Sequence, residues 1–118
     1  MTANEFRTIA LALPGTIEKS HMGHPDFRVR ERIFATLGPR DAFGVVRLPI
    51  PDQMALVAMD GEAFEPSAGA WGAKGWTKVR LATAEKGVVE RALEAAWREM
   101  AEPPAKPARK KKARARSA

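Results

Sequence analysis

Residues 76–81 alternate strictly. Trp76, Lys78 and Arg80 share one face of an extended segment, and Thr77, Val79 and Leu81 share the other. A chain with this pattern forms a strand with one face on a core. The opposite face carries two cations beside a large amphipathic ring. Such a face can contact nucleic acid, because cations meet phosphates and rings stack on bases. It also suits an ordinary solvated sheet face with the tryptophan beneath a neighbouring element, and taken alone the strand fits that plainer role better.

The same alternation recurs upstream. Phe27-Arg28-Val29-Arg30 and Ile33-Phe34-Ala35-Thr36-Leu37 flank the polar pair Glu31-Arg32, which reads as a hairpin. A two-residue loop at 30–31 or 31–32 places Phe27, Val29 and Phe34 on one face. Arg28 and Arg30 then lie on the other, beside Ile33 and Ala35. A three-residue loop would move Phe34 to the cationic face, so register decides whether that ring is core or contact. No Asn-Gly or Asp-Gly pair fixes the turn. Gly38-Pro39-Arg40-Asp41 reads as a turn. Phe43 to Leu48 reads as a further strand, with Val46 and Leu48 on one face and Val45 and Arg47 on the other. Pro49 and Pro51 end it.

Helices complete the layer. Thr2 and Glu5 form a capping box ahead of the stripe Phe6, Ile9, Ala10 and Leu13, and Pro14-Gly15 stops that helix. Residues 16–22 read as a short strand or extended arm. Asp52 reads as the N-cap of a short helix over 53–59. Thr83 reads as the cap of a helix over 84–101, with Val88, Val89, Ala92, Leu93, Ala96 and Trp97 on its apolar face and an outward Glu94–Arg98 pair. Residues 61–75 read as an irregular loop in which Gly69, Gly72 and Gly75 surround Trp71 and Lys74. A loop of this length inside a small domain points to function more than to connection. The fold class is therefore α+β: one two-layer domain over residues 1–102, with helices on one face of a mostly antiparallel sheet.

Charge is unevenly placed. The 118 residues include 20 basic and 14 acidic ones, a formal net charge of +6. Residues 103–118 hold seven of the basic residues, among them Lys110, Lys111 and Lys112, and no acid. Removing those seven leaves 13 basic against 14 acidic residues in 1–102, a net charge of −1. The high isoelectric point therefore belongs to the tail and says nothing of the body. The tail is built of Pro, Ala, Lys and Arg. It lacks the apolar bulk to offset ordering, so disorder is expected, with weak, sequence-independent nucleic-acid binding at low salt.

Several chemistries find little support. Cysteine is absent, which removes disulfides, thiolate catalysis and Cys-ligated zinc. There is no run long enough to span a bilayer and no leading charged-then-apolar signal segment, so a cytoplasmic protein without a membrane partner is expected. His21, His24 and Asp26 lie close in sequence, but their spacing is not an established ligand pattern and no second cluster completes a shell. No metal and no cofactor is expected. Gly-x-Ser-x-Gly is missing, Ser20 and His21 point to opposite faces of an extended segment, and the glycines at 69, 72 and 75 lack a phosphate-loop context. No enzyme activity is expected.

The ordered set Ala10-Leu11-Ala12-Leu13-Pro14-Gly15, Gly23-His24-Pro25-Asp26-Phe27-Arg28-Val29, Ile33-Phe34-Ala35-Thr36-Leu37, Gly75-Trp76-Thr77-Lys78-Val79-Arg80-Leu81 and Ala96-Trp97 resembles the MmcQ/YjbR family. The match runs over residues 5–98. It departs at the Glu31-Arg32 turn, and the basic tail is an extension. The resemblance implies a fold similar to bacterial frataxin, of the CyaY-like kind, and a DNA-binding role through an open sheet face and its wings. The likeness to frataxin raises iron, but the first helix holds only Glu5 and lacks an acidic ridge.

These readings converge on a non-enzymatic protein that binds nucleic acid, DNA with low sequence specificity; the sequence does not give the oligomeric state, and a monomer is favoured. Arg28, Arg30, Arg47, Lys78 and Arg80 would contact phosphates. Trp76 would stack or wedge, Lys74 and the 69–75 loop would form a wing, and Lys110, Lys111 and Lys112 would add charge. The alternative is a protein-interaction or small-ligand module, suggested by the near-neutral body and by Trp71 and Trp76.

Overall fold

The computed structural model describes residues 1–21, 23–38 and 42–102. The basic tail with Lys110, Lys111 and Lys112 lies outside the described residues, as does most of the 38–41 turn. Helix α1 spans Ala3–Ala12 and is followed by strands β1 (Ile17–His21), β2 (His24–Val29), β3 (Arg32–Leu37) and β4 (Phe43–Arg47). Helix α2 (Ile50–Met59), strand β5 (Phe64–Pro66) and the single turn α3 (Ala70–Ala73) precede β6 (Trp76–Arg80) and the long helix α4 (Lys86–Ala101). The six strands form one sheet in the order β1-β2-β3-β4-β6-β5, with every neighbouring pair antiparallel. The protein is α+β, as its alternating strands and periodic helices require.

Residues at 27, 29, 37, 46, 48, 64, 79 and 81 turn toward the helices and are buried with Phe6 and Ala10 of α1 and Val89, Ala92, Leu93 and Ala96 of α4. The Phe6 and Phe27 rings meet at 6.2 Å across the α1–sheet contact. Trp97 donates its ring N–H to Pro14 O at 2.9 Å, tying α4 to the end of the first helical segment. Arg32 reaches the carbonyls of Met100 and Glu102 at 3.4 Å, a cation at the negative end of α4.

The β2–β3 hairpin turns through Arg30 and Glu31, at φ +54° and +64°. Two consecutive left-handed residues between the paired Val29 and Arg32 make a two-residue turn of the primed kind. Phe34 is accordingly core, fully buried. Arg30 belongs to the turn and not to a strand, which corrects the sequence reading. Ala35 also departs from it. The register slips between Phe27 and Arg28, so that Phe27 faces Ala35 while Arg28 faces Ile33. Phe34 is the extra residue of the bulge, and both it and Ala35 turn inward.

The ends of the later helices also differ from the sequence expectation. Helix α2 begins at Ile50 behind Pro49, three residues before Gln53, because Pro51 fits its first turn, where no N–H is needed. Helix α4 begins at Lys86 with Glu85 as its cap, while Thr83 hydrogen-bonds back to Arg80 O and Glu62 O. The 61–75 segment contains β5 and α3, so it is not wholly irregular. No helix among the described residues is long and apolar enough to cross a membrane.

Candidate functional site

Among the described residues, the helices occupy one face of the sheet and leave the other open. Register assigns that face residue by residue. Lys19, Asp26, Thr36, Val45, Lys78 and Glu65 form one continuous cross-strand row. Arg47 lies opposite Trp76, and Phe43 opposite Arg80, on the same side. Arg28, two residues from Asp26, shares it too. The structure thus brings Arg28, Arg47, Trp76, Lys78 and Arg80 onto one surface. Lys74 stands at its rim, and Arg30 stands apart at the hairpin tip.

These cations differ in what holds them. Arg28 is engaged with Asp26 in a two-pronged pair, Nε to Oδ1 at 2.7 Å and Nη2 to Oδ2 at 3.1 Å. Asp26 is only 1% exposed, so Arg28 serves first as the counter-charge of a buried carboxylate. The hydrogen bond to Asp26 pushes the Arg28 guanidinium further above its ordinary pKa, keeping it charged at all working pH. Arg80 donates to Glu62 O and lies 3.5 Å from the Glu65 carboxylate. Both ends of that ion pair are about half exposed, so it constrains Arg80 only weakly. Arg47 sits 5.9 Å from the centre of the Trp76 ring, and Lys78 4.9 Å from the centre of Phe43. These two cations rest on rings.

The aromatic end of the face is built with unusual firmness for its exposure. Trp71, on α3, meets Trp76 edge-on at 6.4 Å and 73°. Lys74 holds its ammonium 5.9 Å from the Trp71 ring centre. Trp76 is half-buried, but Trp71 is 63% exposed. Backbone contact fixes the segment. Gly75 has φ +101°, and a Cβ there would stand 2.1 Å from Leu48 O. A Cβ on Gly72 would stand equally close to Ser67 O. The buried Gln53 of α2 donates from Nε2 to Gly72 O at 3.0 Å, to Thr77 Oγ1 at 3.1 Å and to Trp76 O at 3.3 Å. The Thr77 hydroxyl in turn donates a hydrogen bond to Gly75 O at 2.9 Å. One amide therefore pins the turn that presents the tryptophans.

At the other end, a hollow of about 290 Å³ opens between β2, β3 and β4. Ile33, Thr36, Phe43 and Val45 line it with Asp26 and His24. A second groove, about 270 Å³, lies on the helix side between α2 and α4. Among the described residues no group of three or more His, Cys, Asp or Glu gathers as a metal shell.

The sequence reading missed two contributors to the open face. Lys19 joins it through β1, and only the alternation of a short polar arm could have signalled that. Phe43 follows from counting back by two from Val45. The pairing of Arg28 with Asp26 needed no more than their spacing of two, which puts both side chains on one side of a strand.

Comparison with known proteins agrees with this architecture. The family model described as YjbR matches residues 11–99. A search of curated proteins finds no match. Among solved structures, the fold is similar to the crystal structure of Deinococcus radiodurans protein DR2400, a DUF419 domain. The TM-score is 0.70 over 93% of this chain and 95% of that one, at 14% sequence identity. At that identity the likeness speaks for the fold alone. Since the family match spans most of the chain, the protein belongs to the YjbR family.

Proposed function

We propose that this protein binds nucleic acid, DNA with low sequence specificity, through the open face of its sheet, and that it acts by binding rather than by catalysis. The observation that carries the reading is a separation of charge. Lys19, Arg28, Arg47, Lys74, Lys78 and Arg80 stand on or at the rim of that face against Asp26 and Glu65, a surplus of four positive charges. Residues 1–102 as a whole carry −1. Compensating acids lie elsewhere: α4 and its flanking residues hold Glu85, Glu90, Glu94, Glu99 and Glu102 against Lys86, Arg91 and Arg98, a net −2. A near-neutral domain that concentrates positive charge on an uncovered sheet face is suited to a polyanion.

The cations divide by role. Arg47, Lys74 and Lys78, which rest on rings, are the ones available to phosphates. Arg80 can turn outward at small cost, and Arg28 contributes mainly by keeping Asp26 neutralised. The test is a salt titration of binding. Replacing Arg47 and Lys78 by Gln in a chain ending at Glu102 should weaken DNA binding uniformly across sequences. It should also reduce the slope of log affinity against log salt by about one per cation removed. An unchanged slope would contradict the reading.

A second reading rests on the apolar hollow at Ile33, Phe43 and Val45. A small apolar ligand seated there would raise Tm with its concentration, and Val45→Trp, which fills the hollow, would remove that shift.

A further inference from the structure

We infer that the open face takes single-stranded rather than duplex nucleic acid, with an unpaired base stacked on Trp71; this rests on the nucleic-acid reading above. Trp71 is 63% exposed, yet it is held by Trp76 on one edge and by a backbone that tolerates no Cβ at Gly72 or Gly75. A large apolar ring kept in water on a fixed support is pre-organised for a partner. Every base offers a π-face, so stacking is tolerant of sequence. In a duplex those faces are covered by neighbouring pairs, and only base edges and phosphates remain accessible. A ring standing off a sheet therefore stacks without cost where bases are unpaired, whereas in a duplex it must first unstack a base step.

The surrounding charges fit the same ligand. Lys74 lies over the Trp71 ring and Arg47 over the Trp76 ring, each 5.9 Å from a ring centre, so both cations are within reach of the phosphates of a stacked base, which takes the part of Trp71 that Lys74 leaves free or displaces it. Lys78 continues the track along β6 toward Phe43 and the hollow. Phe43 and Arg47 are four residues apart on β4, roughly 13 Å at ~3.3 Å per residue. That distance is about four stacked nucleotide rises, and fewer for an extended strand. The hollow, with Ile33, Phe43 and Val45 as walls and Thr36 and Asp26 as polar groups, is a second seat within reach of the same strand.

The experiment compares a labelled oligo-dT of about a dozen nucleotides, within the usual single-strand site size, with a mixed-sequence duplex of equal length. The full chain is used throughout, as wild type, Trp71→Ala and Arg47→Gln with Lys78→Gln. The inference expects Trp71→Ala to weaken oligo-dT binding by roughly five- to a hundredfold, the range for loss of one base–ring stack. Duplex binding should stay within about twofold, as expected if the ring makes no duplex contact. In a Trp97→Phe background, which leaves only the open-face tryptophans as emitters, oligo-dT and not duplex should quench fluorescence. If the double substitution weakens both ligands while Trp71→Ala affects neither, or both equally, the single-strand inference fails and the nucleic-acid reading stands. If the double substitution also changes nothing, both fall and binding belongs to the tail.

Discussion

The carboxylate of Glu5 accepts the backbone N–H of Thr2 at 2.8 Å, while the Thr2 hydroxyl accepts the N–H of Glu5 at 3.0 Å. The backbone hydrogen bond holds the Glu5 pKa below the ordinary 4.5. A carboxyl whose folded pKa is depressed adds stability that is present above its unfolded value and is lost as pH falls through the folded one. Tm should therefore decline below about pH 4.5 in part through this group. Glu5→Gln should flatten that acid limb in a Tm-against-pH series, and an unchanged limb would contradict the assignment. Gly75 is the other residue where local chemistry is decisive. Ala there must adopt φ +101° and drive its methyl into Leu48 O. Gly75→Ala should cost about 2–3 kcal/mol, read by denaturant unfolding.

Helix α2 acts as a strut for the tryptophan end. Its buried Gln53 directs Nε2 at three acceptors across α3 and β6, so Gln53→Ala removes that tie, while Gly72 O and Trp76 O keep the backbone N–H groups of Gly75 and Ser67. A loss of about 1 kcal/mol is expected, the net worth of a buried hydrogen bond whose acceptors keep other donors. Amide exchange should accelerate over residues 72–77 more than over β2 and β3, and a uniform acceleration would argue against a local strut. The legible and illegible elements divide along physical lines. The capping box and the strands with full alternation were readable because a few local residues determine them. Strand β5 was not: three residues ending in Pro66 carry no periodicity. Helix α3 was hidden because its Gly-rich sequence is set by close backbone approach and not by propensity. The hairpin turn lacked glycine, so Arg30 was placed on a strand. The shared face of Arg47, Trp76 and Lys78 followed from alternation. The load on Arg28 is legible in its spacing of two from Asp26, and the load on Arg80 is not. Arg80 meets Glu62 and Glu65 only through strand register, which local sequence does not encode.

Across the whole molecule, helices with an acidic outer surface cover one side of the sheet, and the other side carries a surplus of cations and two adjoining tryptophans. The tail adds seven further basic residues. Such a segment binds polyanions on charge alone, so the unsubstituted full chain by itself does not separate the two contributions. The measurement that does so is binding of labelled single-stranded and duplex DNA to a chain ending at Glu102 and to the full chain, each across a salt series. The described core lies wholly within residues 6–100, so the shorter chain retains it. The account predicts that the shorter chain binds, with a log–log salt slope of about −2 to −3, as expected for three or so phosphates met by Arg47, Lys74 and Lys78. Binding by the full chain alone would contradict it and assign the affinity to the tail.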